Sequence, residues 1–378
     1  MPQETVLSNA RIVLENEIVT GSILIRDGLI AGMDSGHSDQ GEDMAGDYII
    51  PGLVELHTDH LESHYSPRPG VVWDALAALQ AHDAQVAASG ITTVFDCLRL
   101  GSDEDSGFQK GEMRTIADAI RCASSEDRLR ASHFIHLRCE VSASDVLEHF
   151  ADFHGDPQVK LASLMDHAPG QRQFQTLDQY TLYYKKKRGL NDADFDRFMA
   201  RRIEESNRYA APHRKAIVEA CNKHRIAIAS HDDATVEHVA ESRAFGVRVA
   251  EFPTSMEAAK ASHETGMAVL MGAPNVVRGK SHSGNISAKT LADAGVLDVL
   301  SSDYVPFSLI YAPFVLADEG GMSLSESIRL VTATPARTVG LADRGNIASG
   351  LRADLVRVRR PAGVPVVRSV WREGRRVA

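Results

Sequence analysis

The chain reads as an α/β protein: a (β/α)8 TIM-like barrel carrying a small β-sandwich domain formed by both termini. Two observations predict this. Between residues 51 and 335, apolar β-type runs alternate with helical stretches, the pattern of parallel βα units. At either end, roughly the first 50 and the last 35 residues, the text changes to short strands broken by turn signals.

Taken in order, the N-terminal part (1–50) holds strand-like runs at 10–14, 21–25 and 29–32, with an Asp27-Gly28 turn between the last two. The barrel (51–335) then supplies eight runs: 52–57, 91–96, 134–140, 159–166, 226–231, 247–252, 267–271 and 296–301. Eight parallel strands with helices between them close most economically as a barrel. Between the fourth and fifth lies a polar insertion at about 170–224, with Tyr180, Tyr183, Tyr184, a basic run from Lys185 to Arg188 and helical text from Asp192. It is too long for a simple connection and is expected to form a helical cap over the barrel mouth. The C-terminal part (336–378) returns to strand texture around 354–358 and 365–371.

With 41 Lys and Arg against 51 Asp and Glu, the net charge is −10, which argues against nucleic acid or an anionic membrane as a partner. No apolar run is long enough to span a bilayer. Met1-Pro2-Gln3-Glu4 lacks the features of a secretory signal, and the four cysteines, Cys97, Cys122, Cys139 and Cys221, are widely spaced. Reduced thiols and a cytoplasmic location are the expectation. A small-molecule substrate is the expected partner, and homo-oligomerisation is left open.

In barrels of this kind the chemistry sits where the strands end. The first run ends in His57-Thr58-Asp59, the third in Glu140, the fourth in Asp166-His167, the fifth in His231-Asp232-Asp233, and Asp303 follows the eighth. A single His or Asp is more often a solvated loop residue than a ligand, and most of the 16 histidines lie in polar or helical text. Recurrence at equivalent points of one architecture is what favours a metal site. Residues two apart on a strand share a face, so His57 and Asp59 can meet one cation. The expected ligand set is His57, Asp59, Glu140, His167, His231 and Asp303, with Glu140 as bridging carboxylate and Asp303 also taking a proton from the attacking water. Mixed nitrogen and oxygen ligation suits two zinc ions, with manganese or iron as alternatives. Asp96 and Glu251 end strands as orienting groups or simple caps, and His60, Glu62 and His64 touch either substrate or their own loop.

The run from Ile49 to Asp59, with its Pro51-Gly52 and His57, resembles the first-strand signature of the amidohydrolase superfamily, PG-x-x-x-x-H-x-H. Thr334-Pro335-Ala336-Arg337, then Asp343-Arg344-Gly345 and Ala353-Asp354-Leu355-Val356, resemble that superfamily's return into its small β domain. Two departures stand out. Asp59 replaces the usual second His, and Glu140 falls where a carboxylated lysine is common, although Lys160 is the other candidate. The runs 166–174, 66–69 and 88–94 resemble a branch whose member releases diphosphate from a ribosyl alkylphosphonate triphosphate. The resemblance therefore implies a phosphoanhydride substrate, with cyclic amide hydrolysis or deacetylation as the alternative activity.

Such a polyanion needs a local basic pocket in an acidic protein. Arg68, Arg172, Gln173, Arg278, Lys280 and His282 are the candidates, all placed after strand ends, and the Lys185–Arg188 run is either a further contributor or a solvated helix face. Gly279-Lys280-Ser281 is not a P-loop, because Pro274 occupies the position that motif reserves for its first glycine.

Overall fold

The computed structural model describes residues 4–101, 111–172, 180–181, 184–185, 191–281, 284–319 and 321–378. The barrel consists of β6 (Leu53–Thr58), β7 (Ile91–Leu100), β8 (Ser132–Glu140), β9 (Val159–Met165), β10 (Ala227–His231), β11 (Val249–Glu251), β12 (Ala268–Gly272) and β13 (Val299–Ser301). They pair in sequence order, each parallel to the next. All eight expected strands are present, with β7 running four residues further and β11 trimmed to three residues.

Closure between first and last strands is made at the C-terminal rim. The Asp303 amide donates to the His57 carbonyl (3.2 Å), and the Asp59 amide donates to the Asp303 carbonyl (3.1 Å). Buried Glu55 reinforces this seam, accepting from the His57 amide at 2.6 Å and the Ser302 amide at 2.5 Å. Gly52 precedes the strand at a point where no side chain fits: a Cβ there would lie 2.1 Å from Thr92 Oγ1.

The two-residue strand period sorts side chains between the barrel interior and the helix layer. Val54, Phe95, Leu161, Ala229, Val249, Leu270 and Val299 form an apolar plug inside the barrel. Phe134 packs against that plug, so His136, Arg138 and Glu140 on the same face of β8 climb from it toward the rim. Ile135, Leu137 and Cys139 alternate outward into the core shared with the helices.

The terminal segments form a second sheet, ordered β16-β15-β14-β5-β1-β2-β3 with β4 on β1. Its strands are β1 (Glu4–Val13), β2 (Ile18–Arg26), β3 (Leu29–Ser35), β4 (Glu42–Asp43), β5 (Tyr48–Pro51), β14 (Leu355–Arg359), β15 (Val366–Arg372) and β16 (Arg375–Arg376). Chain ends meet where β14 runs antiparallel to β5, pairing Leu355 with Pro51. The sheet has its own core of Leu7, Ile12, Ile23, Ile49, Leu355 and Trp371. Val356, Val358 and Val370 pack instead with Leu53 and Val86 of the barrel layer.

The expected cap holds a 33-residue helix, Asp192–His224. Its second half is an ordinary barrel helix, burying Ile217, Val218 and Cys221 against Ile228. The first half carries Phe195 and Phe198, which cluster with Tyr180 and Tyr184. No helix among the described residues is long and apolar enough to cross a membrane.

One buried ion-pair chain lies outside the barrel wall. His133 Nδ1 is 2.7 Å from Asp96 Oδ2, and its Nε2 is 3.3 Å from Asp83 Oδ1. Burial disfavours its charge, but Asp96 and Asp83 more than offset this and push its pKa up to about 9. A raised pKa stabilises the fold fully below about 6.5, and that contribution disappears as pH climbs through 9. The difference corresponds to about 3 kcal/mol at 1.4 kcal/mol per unit. Urea unfolding across this range is expected to show a steeper alkaline loss of stability for the wild type than for His133→Gln. Parallel curves would remove the ion-pair account.

Candidate functional site

At the C-terminal rim lies a cleft of about 340 Å³ whose lining includes His57, Asp59, Arg138, His231, Asp232, Arg278, Lys280 and Asp303. His57 and His231 arrive from opposite parts of the sequence, and Glu251 at the end of β11 holds both. His57 Nδ1 is 3.1 Å from one of its oxygens and His231 Nδ1 is 3.2 Å from the other. The two rings stack with centroids 5.8 Å apart. With each Nδ1 committed to Glu251, Nε2 is the nitrogen left for a ligand. Burial alone would keep Glu251 neutral, but the adjacent His57, His136 and His231 drive its pKa well below the carboxylate range. Ser163 Oγ donates to it as well, at 2.6 Å.

A second group gathers beside the first. His167 Nε2 is 3.9 Å and His231 Nε2 is 3.7 Å from Asp232 Oδ2, so three ligand-type atoms face one another. Glu140 stands behind this trio. Its oxygens accept from Ser142 Oγ (2.6 Å), the His167 amide (3.1 Å) and His167 Nδ1 (2.7 Å), with Arg202 at 3.4 Å. These contacts overcome burial and hold its pKa at about 2. In this arrangement Glu140 orients His167. The other candidate, Lys160, is the second residue of β9, at the strand end away from the rim.

Asp59 meets Arg138, whose Nη1 donates to both carboxylate oxygens at 2.7 and 2.6 Å. Arg99 adds a contact at 3.6 Å. Burial would raise the Asp59 pKa, yet these two guanidinium groups hold it far below the usual range. A cation at Asp59 must therefore share that carboxylate with Arg138. Asp303 lines the cleft with φ of 54°, a left-handed conformation that Asp and Asn tolerate better than other non-glycine residues.

The expected basic residues separate into two groups. Arg278 and Lys280 line the cleft, where Gly279 at φ 71° ends the helix Ala273–Arg278 and turns the chain toward Lys280. Arg172 is buried and pairs with Asp233 and Glu241, so its charge is used inside the protein and it does not line the cleft. Arg68 sits exposed in a loop that bridges to Val71, also outside the lining. Gln173, His282 and the Lys186–Arg188 part of the basic run lie outside the described residues. Lys185 pairs with Asp192.

Two groups, Arg138 and His136, were not singled out from the sequence, and a third, Asp232, was named at its strand end but left out of the expected ligand set. Arg138 lies mid-strand, two residues before Glu140, and only the alternation of β8 could have aimed it inward. Asp232 follows His231 directly, and its φ of 58° swings it back to the rim. His136 is buried at the barrel axis, its Nδ1 2.9 Å from the Leu56 carbonyl. Burial depresses its pKa to about 3, against the opposing charge of Glu251.

The clustered His and Asp side chains can hold a metal ion, and comparison with known proteins places the chain. Alpha-D-ribose 1-methylphosphonate 5-triphosphate diphosphatase of Escherichia coli (strain K12) is 44% identical over 376 residues, spanning 98% of this chain and 100% of its own length. Imidazolonepropionase of Rhodococcus jostii (strain RHA1) is 24% identical over 415 residues, spanning 98% of this chain and 94% of its own. Among solved structures, N-acetylglucosamine-6-phosphate deacetylase from Pasteurella multocida superposes with a TM-score of 0.66 at 12% identity, covering 98% of this chain and 99% of its own, which speaks to the fold alone. The model of the amidohydrolase family matches residues 74–378. The resemblance carried by the Pro51-Gly52 strand and the Thr334–Arg337 return is thereby borne out, and the chain belongs to the amidohydrolase family.

Proposed function

We propose that the cleft hydrolyses a phosphoanhydride, releasing diphosphate from α-D-ribose 1-methylphosphonate 5-triphosphate and leaving the 5-phosphate, a step of phosphonate catabolism. The observation that carries this reading is the full-length likeness to the Escherichia coli diphosphatase at 44% identity. The cleft's composition supports it, because Arg278 and Lys280 stand beside the carboxylate and imidazole cluster. An amide substrate would leave that pair of cations without a counterpart.

His167, His231 and Asp232 lie close enough to share one ion, and the reading adds a second, with zinc first and manganese or iron as alternatives. His57, Asp59 and Asp303 would hold one ion, and His167, His231 and Asp232 the other, with Glu140 and Glu251 orienting the imidazoles. When bound, the ions supply Lewis-acid activation of water and neutralise phosphate charge. Asp303 accepts the proton of the attacking water. The new bond forms at the α-phosphorus, the α–β P–O bond breaks, and Arg278 and Lys280 take up the negative charge on departing diphosphate. Arg138, anchored on Asp59, faces the same space and keeps one positive charge fixed there.

Phosphorus NMR of the metal-loaded protein with the ribosyl methylphosphonate triphosphate tests the reading. Diphosphate and a 5-phosphate are expected in equal amounts. Release of single phosphate, or turnover confined to cyclic amides and N-acetyl sugars, would overturn it.

A further inference from the structure

Outside the barrel wall, three imidazoles meet in a place the proposed chemistry does not use. His60 and His64 are four residues apart on the helix His60–Tyr65 and so share a face. His82 reaches them from the helix Ala75–Ala88. Ring centroids are 4.9 Å apart for His60 and His64, 5.7 Å for His60 and His82, and 6.0 Å for His64 and His82. One nitrogen of each lies within 4.8 Å of the other two. His60 Nδ1, His64 Nε2 and His82 Nδ1 are all buried with no hydrogen-bond partner among the described residues. A buried polar atom left unsatisfied costs about 1–3 kcal/mol, and three in one spot call for a common partner.

The surroundings suit a metal ligand set. His82 Nε2 is 2.8 Å from Asp96 Oδ1, which fixes the ring's orientation and leaves Nδ1 as its ligand atom. Asp96 is itself held by His133. Gln85 bonds His64.

This cluster is separate from the cleft. None of the three histidines lines it. The strand alternation of β7 turns Cys97 inward, 3.5 Å from His136 Nδ1, and therefore turns Asp96 and its partners outward.

We propose that His60, His64 and His82 form a three-imidazole site for a zinc-class divalent ion, clamping the helix after β6 to the helix before β7. Tetrahedral zinc at Zn–N of 2.0–2.1 Å needs nitrogens about 3.3–3.4 Å apart, reached here by small side-chain rotations. An all-nitrogen set disfavours magnesium and calcium, which take oxygen ligands. The fourth position is open to water.

The test is zinc content per chain, measured by plasma mass spectrometry after chelator treatment, reloading with zinc and desalting. His64→Leu is expected to retain one zinc fewer than the wild type, whereas the cleft variant His231→Ala keeps the zinc that His64→Leu loses. Zinc should also raise the wild-type Tm by more than that of His64→Leu. Equal zinc content in wild type and His64→Leu would overturn the site, whatever the cleft is found to do. Should His64→Leu lack native circular dichroism, His60→Gln gives the same readout, and wild-type zinc content there overturns the proposal equally.

Discussion

An Asp303→Asn protein is expected to release diphosphate about a thousandfold more slowly than the wild type, within the ~10²–10⁴ range for loss of a positioned general base. The substitution isolates proton transfer because so much of Asp303's position is set by backbone. Its amide and carbonyl close the barrel against His57 and Asp59, and Thr58 Oγ1 donates to the same carbonyl at 3.1 Å. Asn tolerates the φ of 54° as Asp does, so the seam survives. It keeps an oxygen able to meet a cation, and loses the negative charge and the basicity. Metal content and Tm should therefore match the wild type while kcat falls. Undiminished kcat would remove Asp303 from the proton-transfer role, and matched losses of zinc and kcat would make it a ligand alone.

The barrel was legible because its eight strands are short apolar runs, each bounded by turns and separated by helical text. Their ends could be read for chemistry because a barrel presents them on one face. His57, His231, Asp232 and Asp303 all reach the cleft for that reason. Charge partners were not legible. Arg172 reads as a phosphate ligand from its place after the fourth strand, but folding buries it against Asp233 and Glu241, which come from a later βα unit. Arg138 has the opposite history: unremarkable mid-strand text, yet alternation points it into the cleft. The His60, His64 and His82 cluster needed two helices to be packed together before its spacing meant anything.

Glu251→Gln tests whether the two halves of the cleft share one anchor. In the wild type, each oxygen of Glu251 faces one imidazole Nδ1, from His57 at 3.1 Å and from His231 at 3.2 Å. Glutamine preserves the shape but offers one acceptor, so its amide NH2 must face one of the two N–H groups. That histidine then turns or changes tautomer, and its Nε2 is no longer presented as a lone pair. Loss of an outer carboxylate partner weakens metal binding by ~10–100-fold, and here both imidazoles also lose the anionic charge behind them. Zinc affinity measured by chelator competition is expected to fall by about a hundredfold or more. Turnover should recover in part at high zinc, unlike that of Asp303→Asn, which excess metal cannot restore. Unchanged zinc affinity would mean that packing alone orients His57 and His231. Their 5.8 Å stacking and edge contacts with Phe252 would then have to be sufficient.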